Sequence, residues 1–481
     1  MLNLIVLLRV KIRMFFLKNK KSVFINYFFK FFSETRSSLF FCSALFIALS
    51  VSLLLYPGTF SNDSFVQLEQ AKNHSYSTWH PVIMALVMHY LLPIFGIGGL
   101  FIVHQFIYWF SIALIIDALF KRRLVYLFVG FFSPVFLLTV EIWKDTGMLV
   151  CCMLALACVL QFNRKKNISY LVIATIAILY ASCVRTNALF VTAFLFAGTL
   201  LILFNKKSSL IKKGIIFSSV FFIICISALF INNVIIKTYK AKEDNPLPGL
   251  FLWDIAGISH FSGKHFNLPD YIQIYDSKKS SKWSNNYQPF TNSICWGNGF
   301  SCNLNDKKKS FVLIKDWFNT VKEEPIAYLQ HRMTYIRYLF NIQKSVYYPY
   351  QGYSQNIDKG GNFLPHKLGI IFFKINEKLG NFIQKVYLYH SFSWIIVIFL
   401  TLLLEIRRLF KRIKIAFEDK IAIVLCISGL SNAFSLAIIG PAADYRYMIW
   451  SVFSGLMSIF LLLSSSSMVI ETKNKLRQIV A

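Results

Sequence analysis

The strongest constraint on the fold is a series of apolar stretches, most of which approach the ~20 residues that a helix needs to cross a bilayer. They lie at about 39–56, 99–119, 124–140, 147–162, 168–184, 188–204, 214–235, 391–406, 421–440 and 447–467. Hydrophobic residues make up 56% of the chain and charged residues only 15%, whereas charged residues reach about a quarter in soluble domains. The pattern predicts an all-α polytopic membrane protein with about ten transmembrane helices. It excludes soluble, disordered, collagen-like and disulfide-dense secreted chains.

An eleventh apolar stretch, Pro81–Phe95, contains His89 and is closed by Pro93 and Gly96. Its length of about 15 residues is typical of an interfacial helix. The charges favour that assignment, because cytoplasmic loops are rich in Lys and Arg. With this helix at the interface, the terminal arms and short inner loops hold 27 of the 51 Lys and Arg residues, and the short outer segments hold four. The net charge of +29 therefore indicates membrane orientation, and no nucleic-acid partner is expected.

Charge and hydropathy divide the chain into four regions. They are a basic cytoplasmic arm (1–37), an N-terminal membrane module (38–235) with its first outer loop at 57–98, a large extracytoplasmic domain of mixed structure (236–390), and C-terminal spans with a basic tail (391–481). The arm is expected to lie on the inner leaflet and is not typical of a cleavable signal peptide. Cys295 and Cys302 are the two cysteines of the large domain, and they are predicted to form a disulfide in an oxidising compartment.

The first outer loop contains the best candidate for a catalytic acid or base. Ser61 or Asn62 can cap a helix, and Asp63, Gln67 and Gln70 then share one face of it. The helix dipole favours the carboxylate form of Asp63, and the two amides could hydrogen-bond a sugar. We interpret Asp63 as a general base for a hydroxyl. The alternative is a solvated acid at a helix end.

Single cations occupy three short outer segments that otherwise contain almost none. Lys144, Arg185 and Arg446 come from three separate outer ends, and we expect them to converge on one phosphate or diphosphate. Asp145 and Asn187 stand beside them in the sequence and complete the predicted substrate-binding set. The alternative is local pairing, of Lys144 with Asp145 and of Arg446 with Asp444.

Trp79-His80-Pro81 leads into the interfacial helix. Trp79 is an expected membrane anchor and a candidate contact, and His80 lies where a lipid phosphate would arrive. Glu69 and Glu141 are weak candidates for a divalent cation. The sequence has no zinc-ligand spacing and no glycine-rich phosphate loop, so no metal site and no certain cofactor are predicted.

An outer first loop with a juxtamembrane acid and a His-Pro entry into an interfacial helix resembles the multi-spanning GT-C glycosyltransferases. The serotype-converting O-antigen glucosyltransferases are the most similar group, and protein O-mannosyltransferases are more distant. The residues that carry the resemblance are Pro57-Gly58, Asp63-Ser64, Gln67, Gln70, Trp79-His80-Pro81-Val82-Ile83-Met84-Ala85, Trp143-Lys144-Asp145 and Arg185-Thr186-Asn187. Two positions depart from the mannosyltransferase pattern: Val82 replaces a second proline, and Ser64 replaces the second acid of an Asp-Glu pair.

The resemblance implies a hexosyltransferase of the bacterial inner membrane whose active site faces the periplasm. Its donor would be a polyprenyl-phosphate-linked sugar, with glucose as the sugar that the resemblance implies, and its acceptor a lipid-linked glycan such as O-antigen of lipopolysaccharide. The resemblance assigns catalysis to Asp63, with inversion at the sugar. A flippase and an enzyme that makes the donor are the protein partners it implies, beside membrane lipids.

Two other functions fit parts of the pattern. A transporter of lipid-linked saccharides is one, although transporters usually place ionisable groups near the bilayer midplane and often show internal repeats. An O-antigen polymerase or ligase is the other, because these enzymes share a large outer loop and outer arginines.

Overall fold

The computed structural model describes residues 35–185, 187–204, 209–266, 287–292, 294, 306–342, 387–411 and 415–465. Nearly all of the basic arm, and the predicted Cys295–Cys302 disulfide, lie outside the described residues. Within the described ranges the regular structure consists of fifteen α-helices and four short 3₁₀ helices, without a β-strand. The α-helices are α1 (Ser37–Leu54), α2 (Asn62–Asn73), α3 (Val82–Phe95), α4 (Gly99–Leu119), α5 (Ser133–Thr139), α6 (Lys144–Lys165), α7 (Ser169–Val184), α8 (Ala188–Phe204), α9 (Leu210–Thr238), α10 (Leu247–Ser262), α11 (Lys307–Glu323), α12 (Pro325–Leu339), α13 (Ser391–Phe410), α14 (Phe417–Ile439) and α15 (Ile449–Ser464).

Six helical segments are long and apolar enough to cross a membrane. They are Ser37–Leu54, Val82–Leu119, Lys144–Lys165, Ile211–Thr238, Phe417–Ile439 and Tyr445–Ser464. Two shorter apolar helices, α7 and α8, accompany them. The prediction of an all-α membrane protein is confirmed, and the total of about ten crossings stays a prediction.

The expected span at 124–140 is broken into two pieces, a 3₁₀ helix (Leu124–Phe131) and α5. Pro134 explains the break, because proline lacks the N–H that a continuous helix requires and favours the first turn of a new one. The segment nevertheless connects the two ends of the bundle. Near one end Thr35 N–H donates to Arg122 C=O at 2.7 Å, and near the other Thr59 N–H donates to Val140 C=O at 3.0 Å.

These contacts define two ends of the helical bundle. We call the end near Thr59 and Val140 the site end, and the end near Thr35 and Arg122 the opposite end. The chain turns at the site end through Pro57-Gly58, where Gly58 has a φ of +84°. A Cβ atom there would also lie 2.9 Å from the Phe101 side chain and from Val140 O, so the turn requires glycine.

Helix α6 forms the centre of the bundle, since 89% of its apolar window is buried, whereas α9 lies at the periphery with 11% buried. Small side chains of α6 such as Ala155, Ala157 and Cys152 are fully buried and allow α4 and α7 to approach closely. Cys151 of α6 is buried, Cys225 of α9 is half-buried, and both are free thiols.

The described part of the 236–390 region is helical, so the expected mixed structure is not found there. It consists mainly of α10, α11 and α12, which pack around Trp253 and Tyr335. Helix α12 is connected to the bundle where Phe392 N–H donates to Phe340 C=O at 3.0 Å. Arg332 of α12 reaches Gly440 C=O after the end of α14, so this helical layer lies at the site end.

Candidate functional site

Asp63 lies in the first turn of α2, as predicted. Ser61 caps the helix by accepting a hydrogen bond from Ser64 N–H at 3.4 Å. The remaining free N–H groups of that turn favour a negative charge. The Asp63 side chain is 38% exposed, so it is accessible to a ligand although its surroundings are largely buried.

Arg446 is the nearest cation to Asp63. Its guanidinium lies 3.4 Å from Asp63 Oδ2 and 2.8 Å from Asp444 Oδ2. The guanidinium also stacks over the Trp143 ring, 4.6 Å from its centroid, and the Trp143 indole N–H donates to Ser61 Oγ at 2.8 Å. The N-cap of α2 and the loop before α15 are therefore joined through one aromatic ring.

Arg185 is the second cation and is almost completely buried. It forms an ion pair with Asp145 and a hydrogen bond with Asn187. Its guanidinium lies 4.4 Å from the centroid of the Tyr447 ring. Asp145 thus pairs with Arg185 and not with Lys144, whereas the alternative pairing of Asp444 with Arg446 is found.

Lys144 is the third cation, at the first residue of α6. Among the described residues it has no ion pair and no hydrogen-bond partner for its ammonium group. A cation at a helix N-terminus is unfavourable, because the dipole places positive charge there. Lys144 is therefore the uncompensated cation of the cluster, which an anionic ligand would neutralise.

Lys144, Arg185 and Arg446 lie close enough to Asp63 for their charges to act on it, and their convergence on a phosphate stays a prediction. Burial alone would raise the pKa of Asp63, but the charges of Arg446, Lys144 and Arg185 outweigh burial and hold it below its usual value. Asp63 is therefore ionised at neutral pH.

His80 is buried beside this cluster, and its Nδ1 atom has no hydrogen-bond partner among the described residues. Burial and the neighbouring Lys144 lower the pKa of His80 to about 4. The imidazole is therefore neutral at pH 7 and can accept or donate one hydrogen bond without adding charge.

Glu141 lies behind the cluster and is 1% exposed. Burial raises the pKa of Glu141 to about 8, although the nearby Thr59 hydroxyl and the charge of Arg446 act in the opposite direction. The carboxyl group is therefore mostly protonated at neutral pH. Glu69, the other acid considered for a metal, is exposed on α2.

The two predicted sugar-binding amides are buried and bonded to the protein's own backbone. Gln67 Nε2 donates to Pro81 C=O at 3.4 Å, and Gln70 Oε1 accepts from Ser77 N–H at 3.3 Å. These bonds hold the loop that leads to His80. Trp79 is half-buried in the same loop, and its backbone N–H donates to Ser77 Oγ at 3.1 Å.

A buried network that the sequence analysis did not identify supports the loop of Arg446. Asp254 is fully buried and accepts hydrogen bonds from His331 at 3.1 Å and from the Trp317 indole at 2.9 Å. Arg332 lies 2.6 Å from the same carboxylate and also donates to Gly440 C=O at 3.5 Å. The only sequence signal was an acid next to an apolar run at Trp253-Asp254, which by itself does not predict a partner.

Helix α12 and the 287–292 segment hold the same turn from two further directions. The Tyr335 hydroxyl donates to Leu436 C=O at 3.0 Å. Ala443 N–H donates to Phe290 C=O at 2.7 Å, and Asn292 N–H donates to Pro441 C=O at 3.0 Å. The turn that carries Asp444 and Arg446 is therefore fixed by the 236–390 region.

Across the part of the chain that the structure describes, no group of three or more His, Cys, Asp and Glu side chains is placed to hold a metal ion.

Comparisons of the chain with protein-family models, with curated proteins and with solved structures find no match. The function is therefore inferred from the residues and geometry of the site itself.

Proposed function

We propose that this chain is a membrane glycosyltransferase that moves a sugar from a polyprenyl-phosphate donor to a hydroxyl of a lipid-linked glycan at the site end of its bundle. One observation carries the proposal: the Asp63 carboxylate is accessible and lies near three buried or half-buried cations, Lys144, Arg185 and Arg446, which come from three separate helix ends. In this proposal Asp63 is the base, and the cations beside it bind the phosphate of the lipid-linked donor. The resemblance to the GT-C glucosyltransferases indicates glucose as the sugar, O-antigen as the acceptor and the periplasm as the compartment.

Asp63 is the group proposed to activate the acceptor. Its lowered pKa keeps it as a carboxylate, which can take the proton of an acceptor hydroxyl as the oxygen attacks the anomeric carbon. The bond between that carbon and the phosphate oxygen breaks, and polyprenyl phosphate leaves with the electron pair. Attack opposite to the leaving group inverts the anomeric configuration, and Asp63 ends the step protonated.

The cations are proposed to stabilise the leaving phosphate. Lys144 has no acidic partner, so the phosphate of a bound donor would be the first negative charge to pair with it. Arg446, in contrast, already forms ion pairs with Asp63 and Asp444. Fixed positive charges in a site shielded from water stabilise a developing phosphate anion without reorganisation. Arg185 is neutralised by Asp145, so its proposed role is to hold Tyr447 and the adjacent loop.

The test in cells is linkage analysis by mass spectrometry of the surface glycan. Cells would carry the intact gene, a deletion, Asp63→Asn, or Glu69→Gln as a matched control. Glu69 is an exposed acid on the same helix, so its variant controls for loss of charge on α2. We expect one hexose branch to disappear in the deletion and in Asp63→Asn and to remain in Glu69→Gln.

The same experiment separates the other functions. A changed chain length without loss of a branch would indicate a polymerase or ligase. An unchanged glycan would contradict the proposal, and movement of labelled lipid-linked sugar into proteoliposomes would then favour a transporter.

A further inference from the structure

Helix α11, in the layer at the site end, has two chemically different faces. Leu313 and Thr320 are buried, at 0% and 7% exposure, and pack onto the layer below. Phe311, Ile314 and Phe318 are spaced by three and four residues on the other face, at 69%, 40% and 60% exposure. Apolar side chains of this size rarely form an exposed stripe on a surface that meets only water.

Cations are interspersed with these apolar side chains. Lys308, Lys315 and Lys322 are exposed and fall on the same side of the helix as the two phenylalanines. An alternation of Phe and Lys on one face matches a surface whose interior is apolar and whose boundary is anionic. A soluble protein partner would need acidic groups set among apolar pockets, whereas a lipid surface offers both everywhere.

Helix α11 is too polar to cross a membrane. Seven of its 17 residues are ionisable, and it is absent from the six apolar segments that could span. Of the positions a helix can take at a membrane, lying in the headgroup region is the one that suits this composition.

The layer is connected to the helical bundle at both ends, which keeps α11 near the membrane. Ser310, in its first turn, accepts a hydrogen bond from Asn245 at 3.4 Å. Asn245 follows the end of α9 by seven residues. At the other end, Phe340 after α12 is bonded to Phe392 at the start of α13.

We propose that α11 is a membrane-interface helix whose Phe311–Phe318 face inserts among the lipid headgroups of the leaflet at the site end. It is anchored from its buried side by Trp317, which donates to Asp254. Asp254 in turn pairs with Arg332, which reaches the turn before Arg446. The lipid surface thereby becomes part of the support of the candidate site. This proposal does not depend on the glycosyltransferase assignment.

The test uses a photoactivatable benzophenone amino acid in the full-length chain, reconstituted in nanodiscs of phosphatidylethanolamine and radiolabelled phosphatidylglycerol. It replaces Phe311, Phe318, the exposed Phe222 of α9 as a positive control, or the exposed Glu323 on the flank of α11 as a negative control. We expect labelled lipid to become attached at Phe311, Phe318 and Phe222 and not at Glu323.

The lysines are tested in the same assay. Lys315→Glu with Lys322→Glu should reduce lipid attachment at Phe318 by about tenfold or more, because cations near an anionic lipid surface are attracted to it and the two glutamates would be repelled. Attachment at Phe222 should not change. Lipid attachment at Phe222 alone would overturn the proposal. So would protein–protein crosslinks at Phe311 and Phe318, which would indicate a second copy as the occupant of this face.

Discussion

At the scale of single residues, the site is a balance of charges that are close to one another and largely removed from water. Asp63 and Asp444 both face Arg446, and Asp145 neutralises Arg185. The fourth acid, Glu141, is neutral at pH 7 because burial raises its pKa to about 8. Two predictions follow from this balance, one for stability and one for substrate binding.

Glu141 should make the protein less stable as the pH rises. Its ordinary pKa is 4.5 and its folded pKa is about 8, so between these values the folded chain holds a proton that the unfolded chain has lost. Stability is then highest below pH 4.5 for this group and falls by at most about 1.4 kcal/mol per pH unit up to pH 8.

Glu141→Gln keeps the side chain neutral at every pH and should remove that decline. The measurement is the midpoint of thermal unfolding in nanodiscs at pH 5 and pH 8. Glu69→Gln, at an exposed position, should retain the wild-type decline. An equal decline in Glu141→Gln and wild type would show that Glu141 is ionised in the folded protein.

Lys144 should contribute to donor binding through its charge. Lys144→Met removes a charge-assisted contact with the phosphate, which is worth about 1.5–3 kcal/mol. We expect the KM for a polyprenyl-phosphate sugar to rise about tenfold or more, and Lys144→Arg to restore most of the affinity. Lys72→Met, at an exposed site on α2, is the control. An unchanged KM in Lys144→Met would exclude contact with the phosphate.

At the scale of helices, the site depends on elements that are far apart in the sequence. The loop of Arg446 is held by Tyr335 and Arg332 of α12, and Arg332 is anchored in turn by Asp254 of α10. Gly257 allows α10 and α12 to pack this closely, since a Cβ there would lie 2.3 Å from the His331 ring. The helical layer therefore sets the geometry of the site.

Asp254→Ala should destabilise the protein strongly. It leaves Arg332 buried without its carboxylate, and breaking a buried ion pair in this way costs about 3–5 kcal/mol. The thermal midpoint in nanodiscs should fall well below that of Asp316→Ala, which removes an acid on α11 that forms no ion pair with another described residue. Equal midpoints for the two variants would contradict the proposed support of the Arg446 loop.

The sequence predicted the cationic part of the site because isolated charges in short loops between spans are rare and therefore informative. It did not predict that Trp143 and Tyr447 stack on those cations, since aromatic residues are common at any membrane interface. Gln67 and Gln70 were placed on the correct helix face, but their backbone partners lie in a loop whose path the sequence does not specify. Asp254 was missed because its partners lie 63 or more residues away.

At the scale of the whole molecule, the bundle has one end with the candidate site and one end with the basic loops at 121–123 and 164–166. Positive residues concentrated in short loops predict that the opposite end faces the cytoplasm. The positions of the cations agree with this division. Arg122 and Arg164 both pair with Asp117 at the opposite end, whereas Lys144 and Arg185 lie at the site end. The break at Pro134 and the helical character of the described part of the 236–390 region could not be predicted from hydropathy, which measures burial in lipid and not helix continuity.

Orientation can be measured with reporter fusions. A fusion after Lys166 or after Ser465 should be active only with a cytoplasmic reporter such as a fluorescent protein. One after Lys264 should be active only with a periplasmic reporter such as alkaline phosphatase. The reverse pattern at all three positions would place the candidate site in the cytoplasm and contradict the proposed compartment.

The most direct test of the central claim is transfer of a radiolabelled sugar from a synthetic polyprenyl phosphate to purified lipid-linked glycan by the protein in nanodiscs. Wild type and Glu69→Gln should form the same glycosidic product with inverted configuration. Asp63→Asn should lose at least about 100-fold in kcat, which is the range for removing a general base, while its folding and donor binding remain. Near-normal turnover by Asp63→Asn would contradict the role of Asp63, and absence of any transfer by wild type with these substrates would contradict the proposed reaction.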